Sequence, residues 1–489
     1  MSSISMFSVA QISNLSTTVV QSLTTTDIQS LSATQIAAIN TTDIGVLNST
    51  QVAAITTTQA KALTAAQIPF FQNSVVFSAN QLAAFNAQQG GALTSDQLMA
   101  LDTTSLDALT ATAITGLTAS NLSALDQTHI QGLTSSQLKA LSATQLKGLS
   151  TTDIAEFTST QVGQLSATQL NALTATEIGA LSTDQLTGLS SAQLGSLSSG
   201  NLSALSATQV QSLSTAQVSG LTGTQLKGLN ATDFGELSDT QVDALSSAQL
   251  SQLTATNLGS MSTTALSGLS ATQVSGLSAT QFGGLSSTSV SNLTTTQVSG
   301  LTATQLGALS ATALNGLTST EIGSLSTTQV KGLTTAQLKG ISSDNLAGLT
   351  STQVGALSAT QIGGLTVTDI GLLSTTQVTG LQSTQLQALT TDQLGQLTTD
   401  DVAALSSTQI QALRSSQIGG LSTTVIGALT TTEIGSLLSS QIGGLTTAQI
   451  GQLSTTNISA MTSTQASGFT QTQVVAMTQA QAEAYIMVV

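Results

Sequence analysis

Large apolar residues recur at alternating spacings of five and three through nearly the whole chain, as at Leu141, Leu146, Leu149, Ile154, Phe157, Val162, Leu165, Leu170 and Leu173. The unit is an octad: apolar, Ser/Thr, Ser/Thr/Ala, Thr/Ser, Gln, Leu/Val/Ile, variable, Gly/Ala/Ser. One frame runs from Phe77 to Tyr485 for 51 octads without an insertion, and an earlier frame runs from Phe7 to Phe71 for 8 more. The frames meet in a step of six residues beside Pro69, Phe70 and Phe71, and a weaker irregularity follows between Phe85 and Leu93, where Gly90 takes the sixth position. Stacked repeats require such constancy, because one inserted residue displaces every later contact. On this basis the chain divides into N-terminal octads over 1–71, an irregular phase break over 72–92, the main array over 93–476 and a C-terminal cap or tail over 477–489.

A continuous α-helix drifts by about 80° per octad, so it forms no fixed apolar stripe. Positions 1 and 6 have opposite parity, so a continuous strand cannot place both on one face. The chain must turn within each octad. Position 2 is Ser or Thr in most repeats, and its replacements include Asn48, Asn86, Asn230, Asp102 and Asp126, from the residue set whose short oxygens cap a helix N-terminus. Position 5 is mostly Gln, with Asp27, Asp43, Asp153, Glu177, Asp233, Glu321, Asp369, Asp401 and Glu433 as acidic replacements. Ser/Thr-x-x-Gln/Glu is a capping box, and positions 1 and 6 then form a hydrophobic staple.

The charges agree with this polarity. Lys61, Lys139, Lys147, Lys227, Lys331 and Lys339 all occupy position 7, near the carbonyl end of the short helix, and the nine acids at position 5 occupy its first turn. Glu156 and Glu236, at position 8, run against the pattern. Glycine at position 8 is expected to end the helix and to permit close backbone approach. An isolated octad cannot fold, since ordering eight residues costs more than two buried aliphatic side chains and one cap return. The expected fold is an all-α solenoid of about 59 stacked eight-residue mini-helix repeats, with positions 1 and 6 inside and positions 3, 4 and 7 outside. The alternative is a β-solenoid with two octads per coil.

Composition narrows the function classes. Of 489 residues only 6% are charged, and 22 acids against 7 basic residues give a net charge of −15, which disfavours nucleic acid as a partner. No cysteine is present for thiolate metal sites or nucleophiles, and no apolar run is long enough for a membrane span. MSSISMFSVAQ lacks the features of a cleaved signal peptide. His129, the single histidine, replaces Gln at position 5 and reads as a structural substitution, since no second His or Cys completes a site. Asp400-Asp401, the one adjacent acidic pair, reads as first-turn charge. Arg414 and Leu438 read as tolerated defects at the cap position. No calcium-binding nonapeptide, phosphate loop or dinucleotide fingerprint occurs, so no catalytic, metal or cofactor residue is assigned.

The octads LSATQLKG, LTTTQVSG and LSSTQIQA resemble the octapeptide tracts of large, acidic, cysteine-free bacterial surface and adhesin-like proteins. That resemblance implies surface display, extracellular or on the bacterial cell surface, with export that needs no cleaved N-terminal signal peptide. Leu-Thr-x-x-Gln-Val also looks like the opening of the first helix of transcription-activator-like effector repeats for roughly nine residues, though the acidic balance keeps DNA binding from being carried over. No site residue transfers from either family.

A non-enzymatic structural protein is expected: a rod-like stalk, adhesin or self-assembling filament. The alternative is a hydroxyl-rich surface that recognises ice or polysaccharide through ranks such as Thr24-Thr25-Thr26 and Thr294-Thr295-Thr296. Solenoid ends expose core positions unless capped, and both ends here are apolar, with Met1, Ile4, Met6 and Phe7 at one and Tyr485, Ile486, Met487, Val488 and Val489 at the other. Met6, Phe7 and the five C-terminal residues are therefore the candidate assembly contacts for end-to-end association.

Overall fold

Leu301 to Leu309 shows how one octad folds. Thr302 is extended (φ −79°, ψ 156°), and its side-chain oxygen accepts from Gln305 N at 3.2 Å. Its own N–H donates to Gln305 Oε1 at 2.8 Å, closing the capping box. The helix Ala303–Ala308 follows, and Leu309 turns the chain back to extended geometry. Leu301, Leu306 and Leu309 are all buried. The computed structural model describes residues 3–72 and 76–489, and this pattern gives 58 short α-helices and two 3-10 turns, Ser3–Met6 and Ile68–Phe70. No strand occurs among the described residues, so the β-solenoid alternative is set aside: each octad spends its hydrogen bonds inside its own capped turn.

The six lysines lie in last turns and the nine position-5 acids in first turns, in keeping with helix polarity. Each helix packs on the third helix after it, so three octads, 24 residues, make one coil of a helical solenoid. The chain forms two compact units, Met1–Leu245 and Ser246–Val489, and each is built this way.

Glycine at position 8 works differently from expectation. No described glycine has positive φ, so the helices do not end through a left-handed residue. Close approach is the operative reason. A Cβ on Gly188 would stand 2.0 Å from Ser159 O, and one on Gly332 would stand 2.4 Å from Ala303 O, both on the preceding coil.

The step of six residues is absorbed within one coil. Phe71, Phe77 and Phe85 are buried and stack edge to face, with ring centroids 4.8 and 5.2 Å apart. The helix Thr57–Ala62 packs on Ala79–Leu82, 22 residues on, so this coil closes two residues short of the usual 24. Part of the phase break, residues 73–75, lies outside the described residues. The remainder of 72–92 carries the capped helices Ala79–Leu82 and Ala87–Gly91, and the C-terminal segment carries the capped helix Gln479–Ile486. Repeat geometry therefore extends into both segments that the sequence sets apart.

Candidate functional site

Position 5 is the feature the sequence reading leaves incomplete. A capping box needs only the side-chain Oε1, which any Glu or Gln supplies. Most of these glutamines are also buried, and their Nε2 turns to the preceding coil. Gln137 donates to Leu106 O and Leu109 O, both at 2.8 Å, and Gln337 donates to Leu306 O and Leu309 O, both at 2.7 Å. These acceptors lie 31 and 28 residues earlier, at positions 6 and 1. The position-6 carbonyl accepts the N–H of the next position 1, as from Leu309 N to Leu306 O at 3.2 Å, whereas the position-1 carbonyl is extended and lies beyond the helix, so it takes no backbone N–H. One amide gives the position-1 carbonyl its donor and the position-6 carbonyl a second. Repetition of this bond makes a glutamine ladder along each unit. It survives the phase break by shortening its reach to 29 and 26 residues, as in Gln81 to Val52 O (2.7 Å) and Ile55 O (2.8 Å).

His129 occupies a rung. Its Nε2 lies 2.9 Å from Leu101 O and its Nδ1 lies 2.6 Å from Asp126 Oδ1, so both ring nitrogens are engaged in structure, as a substitution for Gln requires. The ring hydrogen bond, then the His129 backbone N–H, holds the Asp126 carboxyl below the usual carboxylate range. Asp401 accepts from Thr398 N (2.9 Å), Thr398 Oγ1 (2.7 Å) and, from the preceding coil, Thr375 Oγ1 (2.9 Å). Its neighbour Asp400 is exposed. Arg414 and Leu438 offer no capping oxygen, yet their N–H groups still donate to Gln417 and Gln441 Oε1 at 2.9 and 2.8 Å.

The three-octad coil sorts the acids by face. Asp102, Asp107, Asp126, Asp153, Glu156 and Glu177 fall on one face of four successive coils in the first unit, while Lys139 and Lys147 fall on the other two. Glu321, Asp344, Asp369 and Asp392 form a similar column in the second unit, with Lys331 and Lys339 again on the other faces. Within the first column, Asp153 is a rung without an amide, and Ser123 Oγ donates to its Oδ2 at 2.6 Å in compensation. Glu156 Oε2 is buried with no hydrogen-bond partner. Burial, then the charges of Asp153 and Asp126, push the Glu156 carboxyl above the usual glutamate range. Glu236 is raised by burial and by Asp233 in the same way. These two residues, anomalous by helix polarity, are places where the fold holds a carboxyl against its preference.

The proposed assembly residues are mostly exposed. Met6 and Phe7 lie in the first unit, where Gln35 Nε2 donates to Phe7 O at 2.7 Å. Ile486, Met487 and Val489 are exposed in the second unit, whereas Tyr485 and Val488 are half-buried, with the Tyr485 ring edge-on to Phe469 at 5.6 Å. Ile4 is buried, and Met1 lies outside the described residues. The hydroxyl ranks do not gather on one side. Thr296, Thr304 and Thr312, exposed at position 4 of three consecutive octads, stand on all three faces of one coil. Each face carries its own column, as with the exposed Thr280, Thr304, Thr328 and Thr352 at intervals of one coil. Among the described residues no group of three His, Cys, Asp or Glu is placed to hold a metal ion, and no helix is long and apolar enough to cross a membrane.

The ALTTAQ repeat family matches four stretches, residues 36–71, 133–167, 333–367 and 399–431, each lying within the octad array. This is a repeat protein with a helical solenoid. No curated protein matches the chain. Among solved structures, APUM23-GGAAUUGACGG is similar at 13% identity over 83% of this chain and 93% of that one, with a TM-score of 0.17, a likeness that carries no argument.

Proposed function

We propose that the chain is a non-enzymatic structural protein of a bacterial cell surface, a stalk, adhesin or filament subunit. The observation that carries this reading is the ladder. Side chains with chemical potential, His129 and Asp401 included, are committed to holding one coil on the next. Such a chain gains length by adding like units, each stabilised by its neighbours, and length is what a stalk or filament uses. The low charge and hydroxyl-rich exterior fit display at a surface. Exposed Met6, Phe7, Ile486, Met487 and Val489 support end-to-end association, in which unlike ends meet and the contact propagates. Fractionation of intact cells tests the location, and protein confined to the cytosol removes it. Electron microscopy of purified protein tests assembly. Filaments that shorten on truncation after Ala484 are expected, and an unchanged size distribution removes the C-terminal contact.

A further inference from the structure

The first and last coils each carry an uncovered surface. In the first coil Gln11 and Val19 stand at position 5, which elsewhere faces the preceding coil. Val425, at the same position inside the array, is 3% exposed, whereas Val19 is 43% exposed. Gln11 is exposed too. Its Oε1 accepts from Ser8 N at 2.8 Å, but its Nε2 meets no acceptor among the described residues. The remaining place on this surface is filled by the 3-10 turn Ser3–Met6, which packs on the helix Thr25–Ser30 and buries Ile4.

The last coil presents the opposite half of the same contact. Gln481 makes the last rung, to Ile450 O and Leu453 O at 2.9 and 2.7 Å. Among the described residues no side-chain amide reaches the carbonyls of Ala466 and Phe469, and Ala466 O accepts only Phe469 N, at 3.1 Å. Val475, at position 7, is 79% exposed, and residues 485–489 supply positions 1 to 5 of a further octad. Eight of the 14 large apolar residues exposed among the described residues fall within 6–19 and 475–489, so both surfaces combine apolar area with unmet polar groups.

One surface offers a donor without carbonyls and the other carbonyls without a donor, with apolar side chains on both. This is the coil-on-coil contact repeated throughout each unit, divided between two ends, so the occupant that fits it is a second copy of the chain. The half octads set the register. Ser3–Met6 corresponds to positions 5 to 8 and residues 485–489 to positions 1 to 5, so together they fill one place, and the next place, over residues 469–476, falls to residues 7–14. We propose that the first coil of one copy seats on the last coil of another in this register, with Gln11 Nε2 donating to Ala466 O and Phe469 O across the junction. Position 8 then lies on position 7 as it does inside the array, where Asn171 donates to Ser196 O at 2.7 Å and a Cβ on Gly195 would stand 2.3 Å from Gly220 O. Asn14 thereby covers Val475. The proposal rests on the end-to-end reading and adds its register and its donor.

Sedimentation velocity of the full chain and of Gln11→Glu tests the donor. Glutamate keeps the capping oxygen, as at Glu177 and Glu321, and lacks only the amide, so the octad stays folded while association weakens roughly tenfold or more. Oxidation with diamide tests the register, since the native chain has no cysteine. Asn14→Cys combined with Val475→Cys should link copies into a covalent series, whereas Asn14→Cys combined with Ser467→Cys, at position 7 of the octad before, should not. Wild-type protein that stays monomeric overturns this proposal and the end-to-end reading together. Assembly that Gln11→Glu leaves unchanged, or that links position 467 in place of 475, overturns the proposal and leaves the end-to-end reading standing.

Discussion

At the scale of single residues, the two functions of position 5 separate by substitution. Thr302→Ala removes one capping oxygen and should cost about 1 kcal/mol of local stability. Gln337→Ala removes a capping oxygen and also leaves the Leu309 carbonyl buried without a donor and the Leu306 carbonyl with the Leu309 N–H alone, so about 2–4 kcal/mol is expected. Hydrogen exchange is the suitable measurement, because long repeat arrays depart from two-state unfolding and a single global value has no clear meaning. Equal effects at the two positions would show that the amide donor contributes nothing between coils. His129→Gln should be tolerated, since it restores the common residue, whereas His129→Ala should accelerate exchange in its own octad and the preceding coil. The cap was legible in the sequence because Ser, Thr, Asn and Asp share one property, a short acceptor. The ladder was not recognised, although a trace was present: glutamine prevails over glutamate at position 5, and only the amide retains a donor after its oxygen has been used.

At the scale of elements, each mini-helix exists only through its neighbours, and the acidic column makes that dependence sensitive to pH. Glu156 is raised by burial and by Asp153 and Asp126, with Asp126, His129 and Glu177 on the flanking coils as the other groups of that face. The folded octad therefore keeps a proton that the unfolded chain has already lost. Stability from this group is fully present below the ordinary glutamate pKa of about 4.3 and is lost as pH rises through the raised folded value. Asp126 acts in the opposite sense. Its depressed carboxyl contributes above the ordinary aspartate range and loses that contribution only as pH falls through the lower folded value. Exchange over 149–156 should thus slow as pH is lowered from about 7 towards the glutamate range, once corrected for the intrinsic pH dependence of exchange. Glu156→Gln should remove that extra slowing, and a persisting slope would place its origin elsewhere. The sequence marked Glu156 and Glu236 as exceptions to helix polarity but offered no cause, because their surroundings come from octads 24 residues away. The number of octads per coil was hidden for a related reason: like octads repeat every eight residues and carry no mark of every third. Only the acids hint at it, with Glu321 and Asp369, like Asp344 and Asp392, standing 48 residues apart, two coils.

At the scale of the whole molecule, the ladder counts units and not residues. The coil at the phase break closes two residues short, and the rungs beyond it still find their carbonyls, at 29 and 26 residues in place of 31 and 28. Every octad offers the same two acceptors and most offer the same donor, so any octad can follow any other. Duplicating Leu333–Gly340 in place should therefore leave the helical circular dichroism spectrum and the thermal midpoint nearly unchanged, although it moves every later octad to a new face. A single alanine inserted between Gln305 and Leu306 should act very differently. It separates the cap from the staple inside one helix, turns Leu306 away from the core, and breaks the spacing between Gln329 and the carbonyls of Val298 and Leu301. Because stability in such arrays is close to a sum of unit and nearest-neighbour contributions, the damage should stay within about one coil on either side. Hydrogen exchange resolved along the chain would show faster exchange confined to that stretch, with distant coils unaffected. If the octad duplication destabilises the protein as severely as the lone alanine, or if the alanine loosens coils far from it, the units are not interchangeable, and length could not be extended by simple addition of repeats.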